Sequence, residues 1–264
     1  MGARMLLRSA SILPKQSEEQ RSLFRRWRDL SGSLVMAVTS NDYISGVLRA
    51  RPERIATPAA PTPGRHPLGL DSTRDGAVLV PAGLDPAKPA PLIVALHGAG
   101  GIATQMLDLL AVQAERHGMI VLAPESRGST WDGIRGGYGS DVAFIDRALT
   151  TTFQRHAIDP AQIALSGFSD GASYGLSLGV INGELFDHIL AFSPGFMAPT
   201  STADTPRIFV SHGIHDEVLP IDPCSRRIVP ALKRAGYDVE YHEFDGGHVV
   251  PPEMVERAVV RFLA

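Results

Sequence analysis

From residue 76 to the last position, short apolar runs alternate with segments whose apolar residues recur every three or four positions. That is the pattern of strands joined by helices into a largely parallel sheet. Residues 76–80 read as an outer strand, and 92–96 form a continuous apolar run suited to a strand buried on both faces. A glycine-rich turn ends that run. Residues 105–117 read as a helix and 120–123 as a strand, followed by a loop that contains Trp131 and Tyr138. Over 141–156, Val142, Ile145, Ala148 and Leu149 fall at helical spacing. Residues 162–165 make the next strand, and Ser169 opens a helix in which Gly171, Gly175 and Gly179 lie four apart. A row of missing side chains lets a helix approach a sheet closely, which offsets glycine's poor helix propensity. Three further strands are expected at 189–192, 207–210 and 239–244, with helices at 223–235 and 252–263. The order describes a doubly wound, mainly parallel α/β sheet without internal repeats, so ligands are expected at the carboxyl ends of its strands.

The first sixty residues differ in kind. Residues 16–30 are highly charged with scattered apolar positions and suit at most a surface helix. Residues 57–64 hold three prolines and read as an extended linker. The chain is therefore expected to divide into a basic extension with a Pro-rich linker, residues 1–60, and an α/β domain, residues 61–264. Ten Lys and Arg against five Asp and Glu make the extension net +5, although the whole chain is net −3 with a pI near 6.3. Nothing in that balance calls for nucleic acid. The single cysteine, Cys224, allows no internal disulfide, so a cytoplasmic location is the default expectation. Arg25 and Arg26 precede a short apolar run, residues 33–38, that Asn41 and Asp42 soon follow, which argues against a signal peptide. Translation could also begin at Met36. No run reaches membrane-spanning length, so stable membrane insertion is not expected.

The chemistry concentrates after strand ends. Gly167-Phe168-Ser169-Asp170-Gly171 is a G-x-S-x-G sequence between an expected strand and an expected helix. There a serine takes a strained turn, flanking glycines avoid collision with the neighbouring elements, and the helix N-terminus favours developing negative charge. Standing alone, such a sequence is often only a Gly/Ser-rich turn. A serine hydroxyl needs a base, and the base needs a group to fix its tautomer. After the strand at 207–210, Asp216 is the best acid, with Glu217 and Asp222 as competitors. After the last strand, Asp245-Gly246-Gly247-His248 supplies the best base, His248. Each of the other eight histidines is less well placed: His97 belongs to the oxyanion turn, His212 lies at a strand end, His215 adjoins the acid, His242 sits inside a strand, and His66, His117, His156 and His188 read as incidental. Backbone N–H donors for an oxyanion are expected from Ala99, in His97-Gly98-Ala99-Gly100-Gly101, and from Asp170.

With these residues in place, the chain from about position 63 onward resembles the α/β-hydrolase superfamily, in particular its small phospholipase/carboxylesterase and polyhydroxybutyrate-depolymerase-like serine esterases. The motifs that carry the resemblance are L-H-G-A-G-G at 96–101, G-F-S-D-G at 167–171, H-G-I-H-D at 212–216 and G-G-H at 246–248. It implies hydrolysis of a small-molecule carboxylic ester through an acyl-enzyme on Ser169, Asp216 and His248. It implies neither a metal nor an organic cofactor. The stretch between the strands at 189 and 207 is too short for a bulky cap domain, so an open site is expected, with Trp131, Tyr138, Phe196 and Leu219 as candidate pocket residues. Thioester cleavage, acyl transfer and peptide hydrolysis fit the same residues, and an idle ligand-binding scaffold is the non-enzymatic alternative. Oligomeric state is not legible.

Overall fold

The computed structural model describes residues 43–52, 62–85 and 88–264. Its centre is one eight-stranded sheet. The strands are β1 (Gly64–Pro67), β2 (Gly76–Val80), β3 (Ala90–Leu96), β4 (Ile120–Pro124), β5 (Ile158–Phe168), β6 (His188–Phe192), β7 (Arg207–Gly213) and β8 (Val239–Phe244), in the spatial order β1-β2-β4-β3-β5-β6-β7-β8. β1 and β2 are antiparallel additions at one edge, and every pairing from β4 to β8 is parallel.

Side-chain alternation along β3 explains how the sheet is covered. Leu92, Val94 and Leu96 point to one face, where they pack with Val142, Ile145 and Leu149 of α2 (Ser140–Arg155) and with Leu178 of α3 (Asp170–Ile181). Ile93 and Ala95 point to the other face, against Leu107 and Leu110 of α1 (Ala103–His117) and Val255 and Val259 of α5 (Pro252–Leu263). α4 (Ser225–Arg234) joins the first face through Ile228, Val229 and Leu232. All seven β3 side chains but that of Pro91 are buried, which is why the run carries no polar position.

The glycine row of α3 is required at its ends. A Cβ on Gly171 would overlap the Leu96 carbonyl, and one on Gly179 would come within 2.5 Å of the Ile189 side chain. Gly175 has only ordinary contacts around it, the nearest at 3.8 Å. Two ends of the helix therefore set its close approach to the sheet.

β1 begins at Gly64, the last residue of the Pro-rich segment, and pairs with β2; residues 57–61 lie outside the described residues. Packing does not begin at residue 61, however. Residues 43–51 dock on α2 and α3: Leu48 is buried in the core, its N–H donates to Asn182 Oδ1 at 2.7 Å, and Asn182 Nδ2 donates to the Gly46 carbonyl at 2.9 Å. Asp146 accepts the N–H groups of Arg49 and Ala50 at 2.7 and 2.8 Å and the Tyr43 hydroxyl at 2.8 Å. Hydrogen-bond partners far away in sequence made this strap invisible to local patterning. The candidate helix at 16–30 lies outside the described residues. No described helix is long and apolar enough to cross a membrane.

Candidate active site

Ser169 occupies the turn between β5 and α3 with φ 57° and ψ −120°. That is backbone space an L-residue rarely occupies, and it persists only when the surroundings enforce it. The enforcement is steric and hydrogen-bonded. A Cβ on Gly167 would overlap the Gly171 carbonyl, and the Ser169 N–H donates to the Phe192 carbonyl at 2.9 Å. The serine lies at the carboxyl end of a central parallel strand and is 8% exposed.

His248 and Asp216 arrive on neighbouring loops after β8 and β7. The Ile214 and His215 N–H groups donate to the Phe244 and Gly246 carbonyls, both at 2.9 Å, and Gly213 abuts the Gly246 and Gly247 carbonyls so closely that no Cβ would fit. His248 Nδ1 lies 2.6 Å from Asp216 Oδ2. The other carboxylate oxygen accepts the Val218 and Leu219 N–H groups at 2.9 and 2.8 Å. Burial would push the Asp216 carboxyl up, but the bond from His248 and the Leu219 N–H together hold it below the usual aspartate value. The Phe168 ring packs on the His248 imidazole with centroids 4.7 Å apart, which sets the histidine beside the serine turn.

The turn after β3 faces the same place. A Cβ on Gly98 would lie 3.3 Å from Ser169 Cβ. Its shape is held from behind: Gly101 N–H donates to Gly98 O at 3.0 Å, Gly100 N–H to Ser129 O at 2.6 Å, and Trp131 Nε1–H to His97 O at 2.8 Å. His97 is buried and its pKa is lowered, by desolvation first, so the ring is neutral: Nδ1 donates to Gly98 O and Nε2 accepts the Ser126 N–H. Arg74 spans the turn's far side, donating from Nη2 to Gly101 O at 3.0 Å and from Nε to Ser126 O at 2.5 Å. Ala99 is exposed at the apex, and Asp170 stands at the first position of α3, where a backbone N–H has no partner within its helix. The Asp170 side chain turns away to accept the Thr130 hydroxyl at 2.7 Å.

A cavity of about 420 Å³ opens between this turn and His248, with Met106, Leu109, Phe168, Val249 and Val250 as its apolar wall. None of the four candidate pocket residues lines it. Trp131 is fully buried and stacks on Tyr174, and Tyr138 packs on the same ring as part of that core. Phe196 and Leu219 are half-buried on the other side, where Leu219 packs near Gly195. Arg74, Ser126 and His212 are the neighbours that sequence reasoning missed. Of these, only His212 sat inside a quoted motif. Among the described residues no group of three or more His, Cys, Asp or Glu side chains is arranged to hold a metal ion.

Residues 140–264 match the family model described as phospholipase/carboxylesterase. Feruloyl esterase C of Emericella nidulans is 29% identical over 157 residues, which is 56% of this chain and 57% of that protein. Probable feruloyl esterase C of Aspergillus niger is 26% identical over the same shares. The chain thus spans a little over half the length of the curated relatives it matches. Among solved structures, esterase PE8 is 24% identical with a TM-score of 0.59, over 71% of this chain and 97% of that one. A ferulic acid esterase from Anaeromyces mucronatus is 17% identical with a TM-score of 0.54, over 86% and 97% of the two chains. At such identities the likeness concerns the fold. The chain shares the α/β-hydrolase fold of these esterases, and its residues 140–264 match the family model described as phospholipase/carboxylesterase.

Proposed function

We propose that the chain is a serine esterase that hydrolyses a small-molecule carboxylic ester through an acyl-enzyme. The observation that carries the reading is the 2.6 Å bond between His248 Nδ1 and Asp216 Oδ2, made beside a serine held in a strained strand-to-helix turn. In this reading Ser169 Oγ attacks the ester carbonyl carbon while His248 Nε2 takes its proton. Asp216 keeps the Nδ1–H tautomer and balances the imidazolium as it forms. The Ala99 and Asp170 N–H groups receive the oxyanion. Collapse breaks the bond to the alcohol, which leaves with the proton from His248. Water then attacks the acyl-serine, with His248 again as base, and the acid departs.

The apolar cavity beside His248 suits an acyl or alcohol group of aryl size. Relatives carrying the name feruloyl esterase favour an aryl-bearing acyl group among such esters. The test compares wild type with Ser169→Ala on p-nitrophenyl esters from acetate to long acyl chains and on methyl ferulate. The expected result is turnover that vanishes in the variant and stoichiometric labelling of wild type by a fluorophosphonate. A wild type inert toward every ester, or a fully active variant, overturns the reading.

A further inference from the structure

Behind the Asp216 carboxylate lies a second imidazole that the three-residue reading leaves unused. His212, on β7, is wholly buried, as is the Asp216 side chain. Its Nε2 is 2.8 Å from the Leu219 carbonyl oxygen and 3.2 Å from Asp216 Oδ2. Both are acceptors, so Nε2 carries the ring proton. Nδ1 is then an acceptor, and the buried Ser225 hydroxyl, 2.6 Å away at the start of α4, donates to it. Burial lowers the ring's pKa against the pull of the Leu219 carbonyl and the Asp216 carboxylate, which leaves the ring uncharged near neutral pH.

We propose that His212 is a positioning residue for the reaction: its Nε2–H, locked by Ser225 and donated to the Leu219 carbonyl, keeps the imidazole 3.2 Å from Asp216 Oδ2 and so holds that oxygen in line with His248 Nδ1. The proposal rests on reading Ser169, His248 and Asp216 as the catalytic residues. Apart from His248, the donors to the carboxylate are the Val218 and Leu219 N–H groups, which ride on the same loop as Asp216 and move with it. His212 comes from a strand paired on both sides, so it ties the acid's side chain to the sheet. Its bond to Leu219 O also closes the loop over residues 212–219. An uncharged donor suits this place, because a second imidazolium would compete with His248 for the same carboxylate. The titratable groups around the ring are Asp216, His248 beyond it, Glu243 on β8, and Cys224 next to Ser225.

His212→Phe keeps a ring and removes the donor, His212→Gln can supply a donor from its amide, and Ser225→Ala removes the lock. The expected result for His212→Phe is a kcat lower by about tenfold or more with KM within about twofold, partly restored in His212→Gln. The low-field NMR resonance of the His248 Nδ1 proton is expected to shift in His212→Phe and less in His212→Gln. If His212→Phe does not fold, Ser225→Ala carries the test through the same resonance and a smaller loss of kcat. A wild-type kcat with an unmoved resonance in a folded variant, or a loss confined to KM, overturns the proposal. Activity retained by Ser169→Ala would instead sink the catalytic reading itself, while the resonance, which needs no turnover, still reports on His212.

Discussion

Asp216 and His248 stand 32 positions apart in the chain, yet their side chains meet at 2.6 Å, with the carboxylate wholly buried and the imidazole 15% exposed. The pair is made by β7 and β8 lying side by side, so that the loops leaving their carboxyl ends share backbone hydrogen bonds. Each loop fixes the other.

Replacing the acid should show what that pairing does. In Asp216→Asn the new amide can present N–H to His248 Nδ1 and so favour the wrong tautomer. Steady-state kinetics on a p-nitrophenyl ester are expected to show kcat lower by roughly 10³- to 10⁴-fold with little change in KM. A loss under tenfold would remove Asp216 from the mechanism.

Arg74 offers a test of the turn that faces Ser169. Its guanidinium reaches the Gly101 and Ser126 carbonyls from two separate nitrogens held in one plane, a fixed spacing that an ammonium does not reproduce. Arg74→Lys is expected to lower kcat by about tenfold, through a loosened Ala99 N–H, while KM changes little. Unchanged kcat in a folded variant would show that Trp131 and Ser129 hold the turn without it.

The cavity wall predicts selectivity. Leu109, on α1, is half-buried beside the more enclosed Met106. Leu109→Trp should fill part of the space, leaving acetate esters nearly untouched while kcat/KM for methyl ferulate and long acyl esters falls by about tenfold or more. A uniform change across the series would place the ester's large group elsewhere.

A buried pair of carboxylates behind the site predicts a pH signature in stability. Asp141 and Asp132 each accept the other's backbone N–H, at 2.6 and 2.8 Å respectively, and burial, with the Asp132 charge adding to it, pushes the Asp141 carboxyl up to about 6 from 3.8. The folded pKa lies above the unfolded one, so between about pH 4 and pH 6 the native chain keeps a proton that the unfolded chain has lost. This group's stabilisation is therefore present in full below pH 4 and lost as pH rises through 6, by at most about 3 kcal/mol. Urea unfolding at pH 5 and pH 7 should show wild type losing more than Asp141→Asn over that interval. A smaller loss in wild type would reverse the sign and refute the account.

Sequence alone determined the alternation of strands and helices, because a strand's burial and a helix's amphipathic face are written in residues that are neighbours or near neighbours. It also marked Ser169, since Gly167 and Gly171 record a collision that only glycine avoids, and the loops that carry Asp216 and His248. The strand at 162–165 was seen short of its extent, Ile158–Phe168, because its first residues, with Asp159 and Pro160, lack an apolar pattern. What tertiary structure alone decided were contacts between parts of the chain far apart: the strap at 43–51 on Asp146 and Asn182, Arg74 behind the glycine turn, and His212 behind Asp216. It also decided that Trp131 fills the core while Met106 and Leu109 line the cavity. Periodicity tells which side of an element is buried. Which groups meet there depends on the order in which strands lie side by side, and that order is a property of the assembled sheet.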